Sequence, residues 1–92
     1  MILSFKHKGL EKFFNSGSTA GIQAKHAVKL RILLFTLDNA TSPRDMSAPN
    51  WHLHQLSGDL ANHWSVRVNG NWRMTFKFEN GDATIVDYQD YH

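Results

Sequence analysis

The sequence predicts an α+β domain in which two N-terminal helices pack on a largely antiparallel five-stranded sheet, in the order β-α-α-β-β-β-β. Two patterns in the second half carry this prediction. Apolar and polar residues alternate over residues 64–68 and 72–78, which is typical of strands with one buried face. Asn69-Gly70 lies between these runs and Asn80-Gly81 follows the second, and Asn-Gly steps are strong hairpin signals.

The first half predicts two helices behind a short strand. Residues 1–6 are rich in β-branched and aromatic side chains and are expected to form that strand. Residues 9–16 place apolar side chains at helical spacing and predict a short helix, which Gly17 would end. Residues 23–37 predict a longer helix, whose apolar stripe consists of Ala27, Leu30, Leu33, Leu34 and Leu37.

The region between the long helix and the hairpins has weaker signals. Pro43 forbids continuation of the helix, and residues 44–50 are expected to be irregular. Residues 51–56 are a strand candidate, and residues 57–59 read as a turn.

Register in the first hairpin decides which side chains share a face, because a slip of one residue moves each side chain to the other face. A three-residue loop over 69–71 would place Val68 opposite Trp72 and Arg67 opposite Arg73. Like charges directly opposite each other are destabilising, so the arginine pair predicts a shared anion or a carboxylate from a neighbouring strand.

The second hairpin extends this polar face. A two-residue type I′ turn at Asn80-Gly81 would pair Phe76 with Ile85 and would put Tyr88 across from Arg73. If the strand continues, Asp90 and His92 share that face. The sequence therefore predicts a polar site on one sheet surface, at the end of the last strand.

Composition limits the classes of function. The 92 residues are enough for one domain, residues 1–92, with a single modest core. The chain has no cysteine, which excludes disulfides, and His52 and His54 lack further ligands, so no metal and no cofactor are expected. No segment has the length of a membrane span or the pattern of a signal peptide, which predicts a cytoplasmic protein without a membrane partner.

Five stretches resemble HigB-type toxins, the plasmid maintenance system killer group of the RelE/ParE toxin–antitoxin superfamily. They are MILSFKHKGL at residues 1–10, HLHQLSGD at 52–59, WSV at 64–66, NWRMTF at 71–76 and DYQDYH at 87–92. The resemblance covers essentially the whole chain. The Trp-Arg-x-x-Phe strand and the terminal Asp-Tyr-His are its most specific parts.

The resemblance implies a RelE-like, microbial-RNase-like fold and a toxin that cleaves messenger RNA on the ribosome. It also implies a HigA-type helix-turn-helix antitoxin as partner, with operator DNA bound only through that antitoxin. The catalytic residues it implies are His54, Arg73, Asp90, Tyr91 and His92. Substrate binding is predicted for Arg67, Ser57, Tyr88 and Lys77. Ser57 departs from the pattern, since a related toxin has a catalytic lysine at that position.

Cleavage of RNA without a metal requires a base for the ribose 2′-hydroxyl, stabilisation of the phosphorane charge and an acid for the leaving oxygen. Arg73 suits the charge, because its planar guanidinium matches phosphate oxygens. His92 or Asp90 is expected to be the base, and His54 or Tyr91 the acid, with imidazole able to do either task near neutrality.

Two other functions compete with the ribosome-dependent endoribonuclease. The superfamily contains toxins that poison DNA gyrase and lack the catalytic cluster. A weakened toxin that survives as an antitoxin-binding regulator is the third possibility, and Ser57 is the residue that keeps it open.

Overall fold

Two helices form early in the chain, as the apolar spacing predicts. The structure is a computed structural model that describes residues 1–90. Helix α1 spans Lys8–Ser16, where the Nδ1 atom of His7 accepts from the N–H of Leu10 and Gly17 closes the last turn at φ 79°. Helix α2 spans Ala27–Asn39 and is preceded by a 3-10 turn at Ala24–His26.

The sheet has four strands in the order β1-β2-β3-β4, all antiparallel. Their bounds are His54–Gln55 for β1, Trp64–Asn69 for β2, Trp72–Glu79 for β3 and Asp82–Asp90 for β4. Short 3-10 helices lie in the connections, at Pro43–Met46 and Gly58–Leu60.

The prediction of a five-stranded sheet that begins with residues 1–6 is wrong. This segment runs parallel to β4 but makes only isolated bridges, Ile2 with Ala83 and Phe5 with Val86. Between the bridges, the Ile85 N–H donates to the Ser4 hydroxyl and not to a backbone carbonyl. A continuous ladder does not form because the backbone of Ile85 leaves the extended conformation, with φ at 46°.

The strand predicted over residues 51–56 is shorter than expected. Only His54–Gln55 pairs with β2. Asn50 and His52 both have positive φ, 70° and 52°, so the backbone before β1 is not extended.

The first hairpin confirms the arginine pairing, but its loop differs from the prediction. Asn69, not Val68, lies opposite Trp72, and the register shifts between Arg67 and Asn69. The extra residue is a β-bulge at the end of β2, so the predicted three-residue loop is replaced by a shorter turn.

The second hairpin turns at Asn80-Gly81, where both residues have positive φ, 54° and 84°, as a type I′ turn requires. Phe78 pairs with Ala83, in the register that a two-residue turn sets. The predicted pairing of Phe76 with Ile85 is wrong, because the register shifts between the pairs Thr75–Asp87 and Lys77–Thr84.

The core lies between α2 and one face of the sheet. The predicted stripe of α2 is confirmed, since its four leucines are no more than 2% exposed and Ala27 packs against them. The sheet side of this core consists of Val66, Val68, Met74, Phe76, Ala83, Val86 and Tyr88. The burial of these side chains is the main favourable term in folding, at roughly 25 cal/mol per Å² of apolar surface.

The start of α1 packs directly on the loop before α2. A Cβ atom added to Gly9 would lie 2.7 Å from the Cα of Gly21 and 2.8 Å from its carbonyl carbon. Both neighbours are backbone atoms, so no flexible side chain can move aside. Glycine is required at this contact for space and not for a special φ.

We expect Gly9→Ala to destabilise the protein by about 1–3 kcal/mol, the usual cost of overpacking. Alanine ordinarily stabilises a helix relative to glycine by roughly 1 kcal/mol, so the sign of the effect separates packing from propensity. Urea unfolding gives the measurement, with Asn15→Ala on the exposed face of α1 as the control, which should be neutral or stabilising. A stabilised Gly9→Ala variant would show that the two backbones do not touch.

Candidate active site

The sheet face opposite the helices carries most of the polar side chains of the strands. Residues that pair directly across strands point to the same side, so the register assigns each side chain to a face. We call the surface away from the core the open face, and it includes His54, Ser65, Arg67, Arg73, Thr75, Lys77, Thr84, Asp87 and Gln89. The two innermost, Ser65 and Thr75, are only 1% and 2% exposed. Small polar side chains thus lie at the centre of this face, and three of the longer side chains around them, Arg67, Arg73 and Lys77, are cationic.

Arg67 and Arg73 lie directly opposite each other on this face, as the sequence predicts. Arg73 is partly buried, and its Nη1 donates to the carbonyls of Gly70 at 3.1 Å and Trp72 at 3.4 Å. Within residues 1–90, the ion pairs are those of the Met1 amino group with Asp82 and of Lys77 with Glu79, so neither arginine is neutralised there. The pair is therefore a site of concentrated positive charge.

His54 is exposed on β1, and its partner across the strands is Ser65. Its Nδ1 lies 2.9 Å from the His52 carbonyl oxygen, which can only accept, so Nδ1 carries the proton. In the neutral ring, Nε2 then has the free lone pair. Ser65, the partner of His54, is two residues from Arg67 on β2, so His54 lies about 7 Å from the arginine pair along the strand direction.

Gln89, which the sequence analysis did not single out, lies opposite Arg73. Its Nε2 donates to the Thr75 hydroxyl at 3.3 Å and to Oδ2 of Asp87 at 3.5 Å. The Oδ1 atom of Asp87 accepts from the N–H of Tyr88 at 2.9 Å. The predicted carboxylate from a neighbouring strand is present on the open face as Asp87, but it bonds these groups and not the arginines.

The predicted position of Tyr88 on the polar face is wrong. Tyr88 lies opposite Met74 and Asp90 opposite Trp72, so both are on the core side of the sheet. The cause is the bulge in β4, where Ile85 and Val86 both lie opposite Phe76 and shift the alternation by one residue. A glycine or asparagine would have signalled this positive φ, and isoleucine gives no such signal.

Tyr88 is instead part of a buried cluster at the start of α2. Its ring stacks on Trp72 at 4.6 Å and contacts the edge of His7 at 5.3 Å. Its hydroxyl lies 2.6 Å from Nδ1 of His26 and accepts from the N–H of Gln23 at 3.4 Å. Burial raises the pKa of Tyr88, so its hydroxyl stays protonated.

His26 is 1% exposed, and its Nε2 has no hydrogen-bond partner among residues 1–90. Burial, and to a smaller extent the charge of Lys25, lowers the pKa of His26 below 6.5. The ring is therefore neutral near pH 7. Sequence patterns did not indicate that His26 is buried, because it lies beside the apolar stripe of the predicted helix.

The remaining predicted residues are more scattered. Lys77 is on the open face, where it pairs with Glu79 at 3.9 Å. Ser57 is exposed and precedes the 3-10 helix after β1. Asp90 is exposed at the end of β4, and Tyr91 and His92 lie outside the described residues. Within the described part of the chain, no three potential ligands cluster to hold a metal, and no helix is long and apolar enough to cross a membrane.

Comparison with known proteins identifies the family of the chain. Residues 3–92 match the family model of the HigB-like toxins, described as RelE-like toxins of type II toxin–antitoxin systems. The chain belongs to the HigB-like toxin family. It is 45% identical over 92 residues to the endoribonuclease HigB of Proteus vulgaris, with both chains fully covered.

Solved structures support the same fold for this HigB-like toxin. YafQ from E. coli superposes with a TM-score of 0.66 at 15% identity, covering 98% of this chain and 91% of YafQ. The YoeB dimer from Staphylococcus aureus gives a TM-score of 0.61 at 16% identity, covering 99% and 94%. The α+β architecture with an antiparallel sheet is thus shared at low identity.

The buried His26 of this HigB-like toxin predicts that stability falls as the pH drops below about 6.5. The unfolded histidine binds a proton near that pH, whereas the folded one resists it, so unfolding takes up a proton. His26 contributes at most about 1.4 kcal/mol per pH unit to the slope of the unfolding free energy against pH. Urea unfolding between pH 8 and 5.5 tests this, and His26→Gln should flatten the profile. An equally steep profile in the variant would assign the dependence to other groups.

The arginine pair predicts a variant that gains stability. Arg67→Thr removes the like charge opposite Arg73 and places a good strand former there, so unfolding should become harder by about 0.2–1 kcal/mol. The gain should shrink in 1 M salt, which screens surface charge. Thermal unfolding at both salt concentrations is the measurement, and a loss of stability at low salt would contradict the repulsion.

Proposed function

We propose that this HigB-like toxin is an endoribonuclease that cleaves messenger RNA on the ribosome. The observation that supports this most directly is the arginine pair on the open face. Arg67 and Arg73 oppose each other without an ion pair among residues 1–90, an arrangement that costs stability unless an anion lies between them. An RNA phosphate supplies that charge, and the relative from Proteus vulgaris is named an endoribonuclease.

The proposed reaction is a transfer within the RNA backbone. The 2′-hydroxyl oxygen attacks the adjacent phosphorus while the bond to the 5′-oxygen of the next nucleotide breaks. One proton leaves the 2′-hydroxyl and one reaches the 5′-oxygen, which gives a 2′,3′-cyclic phosphate and a 5′-hydroxyl. The chain therefore has to supply a base, an acid and a counter-charge for the phosphorane oxygens.

Arg73 supplies the counter-charge in this proposal. The two backbone carbonyls that Nη1 contacts hold the guanidinium in place, and its other N–H groups remain for phosphate oxygens. A donor fixed in advance stabilises developing charge without reorganisation during the step. Arg67 and Lys77 bind neighbouring phosphates from the same face.

The proton transfers fall to His54 and the end of the chain. His54 is held through Nδ1, so Nε2 is the atom that exchanges a proton with RNA, and it can act as the acid when the ring is charged. Of the two candidate bases, Asp90 lies opposite Trp72 on the core side of the sheet, so His92 is the base that this proposal favours. Tyr91 is the alternative acid. Ser57, beside β1, contacts the substrate as a hydroxyl where a related toxin has a lysine.

The proposal also covers the site of action and the partners, for which the resemblance to HigB-type toxins is the support. A small open face offers few contacts to orient free RNA, so we propose that the ribosome positions the message. The antitoxin is proposed to be a HigA-type helix-turn-helix protein, which alone connects the toxin to operator DNA. The toxin would act in the cytoplasm, where its substrate is translated.

Arg73→Ala should lower cleavage by at least about 100-fold, the cost of one lost donor to a developing oxyanion. Primer extension on a reporter message in a purified translation system measures the cuts. The cleavage rate of Arg73→Lys should lie between those of the wild type and Arg73→Ala, because lysine keeps the charge but not the planar guanidinium. Arg44→Ala removes an exposed arginine from the loop after α2 and serves as the matched control.

The outcomes separate the candidate functions. Cuts within translated codons by the wild type and by Arg44→Ala, but not by Arg73→Ala, support the proposal. A fully active Arg73→Ala variant would remove Arg73 from the site. If the wild type makes no cuts while translation proceeds, Ser57→Lys is the next variant. Cleavage by Ser57→Lys would indicate that the wild type is a weakened nuclease. The absence of cleavage by Ser57→Lys would favour a toxin with another target.

A further inference from the structure

Helix α2 carries a second apolar stripe, on the side away from the core. Val28, Ile32 and Phe35 lie at helical spacing on one face and are 68%, 49% and 70% exposed. Together with the buried leucines, they make the helix apolar on two sides. A helix of this kind is ordinarily buried on both sides, so the outer stripe lacks a partner in the isolated chain.

The stripe adjoins a groove between the end of α1 and α2. The groove has a volume of about 300 Å³ and is lined by Phe13, Phe14, Gly17, Arg31, Leu34, Phe35 and Asp38. A Cβ atom on Gly17 would have no neighbour within 4 Å, so the groove is open there. Phe35 belongs to both the stripe and the groove, and the two form one continuous apolar surface.

Cations border this surface on both sides. Arg31 lies over the ring of Phe13 at 5.6 Å and Lys29 over that of Trp51 at 5.2 Å. Arg31 is exposed and Lys29 is half-buried. Among residues 1–90, the carboxylate that lines the groove is that of Asp38, and its Oδ1 accepts from the N–H of Ile2 at 2.9 Å. A complementary partner thus has an apolar ridge with carboxylates on its flanks.

We propose that the outer stripe of α2 binds an amphipathic, acidic helix of the antitoxin. Family membership requires an antitoxin but does not say where it binds, and this inference is independent of the nuclease proposal. The residues of the antitoxin helix at i, i+3 or i+4, and i+7 would pack against Val28, Ile32 and Phe35, with one side chain in the groove. Its carboxylates would pair with Arg31 and Lys29.

Charge argues against the other occupants. Antiparallel pairing of two copies about Ile32 sets Arg31 beside its own copy, and parallel pairing sets every cation against its counterpart. Ribosomal RNA would suit the cations but not Val28 or Ile32, which offer neither a hydrogen bond nor an aromatic plane. An acidic helix satisfies both the apolar and the charged parts of the surface.

The test measures binding of the purified antitoxin from the same operon to the full toxin by calorimetry. Ile32→Ser and Phe35→Ser should each weaken the affinity by at least about 10-fold, and Arg31→Glu should weaken it with a shallower salt dependence. Leu3→Ser is the matched control, since Leu3 is an apolar side chain 57% exposed that belongs to neither the stripe nor the groove lining. Its N–H donates to the Ala83 carbonyl, which places its backbone against β4. Urea unfolding of each variant verifies that the fold is kept, and cleavage of RNA is not needed as a readout.

Unchanged affinity for the antitoxin in both serine variants would overturn the proposal. A wild type that sediments as a dimer, with Phe35→Ser a monomer and antitoxin affinity unaltered, would assign the surface to a second copy. If the serine variants bound ribosomes more weakly but kept their antitoxin affinity, the surface would be assigned to the ribosome. Loss of antitoxin affinity in the stripe variants but not in Leu3→Ser supports the proposed site.

Discussion

The bulge at Ile85 determines how the two faces of the terminal strand are used. At this point two residues of β4 oppose one residue of β3, and every later side chain changes sides. Tyr88 therefore completes the core beneath α2, while Gln89 and Asp87 face the arginines. The bulge holds a β-branched residue at positive φ, a conformation that is costly for such a side chain. The surrounding contacts, including the hydrogen bond from the Ile85 N–H to Ser4, have to offset that cost.

The parts of the fold that depend on local signals were predictable. Helical spacing located both helices to within a few residues, and Asn80-Gly81 determined its turn because both residues adopt positive φ readily. The direct pairing of Arg67 with Arg73 was also predicted correctly, although the loop that joins their strands was not. The resemblance to HigB-type toxins supplied the family, which composition and periodicity could not.

The parts that failed depend on irregular backbone without a sequence signal. No glycine or asparagine marks the bulge at Ile85, so strict alternation placed Tyr88 on the wrong face. The N-terminal segment has good strand composition, but it meets β4 beside that bulge and forms only bridges. The buried bond between His26 and Tyr88 joins residues 62 apart and could not be inferred from either stretch alone.

The bond from His54 to the His52 carbonyl also has a consequence for chemical labelling. Electrophiles that acylate histidine react at an unprotonated ring nitrogen, which in His54 is the outward-facing Nε2. His26 is shielded, being 1% exposed, and His7 uses its Nδ1 lone pair to cap α1. Histidine-directed reagents should therefore distinguish these rings by mass spectrometry, and bound RNA would protect His54 from modification. Footprinting of this kind would report occupancy of the open face without any turnover.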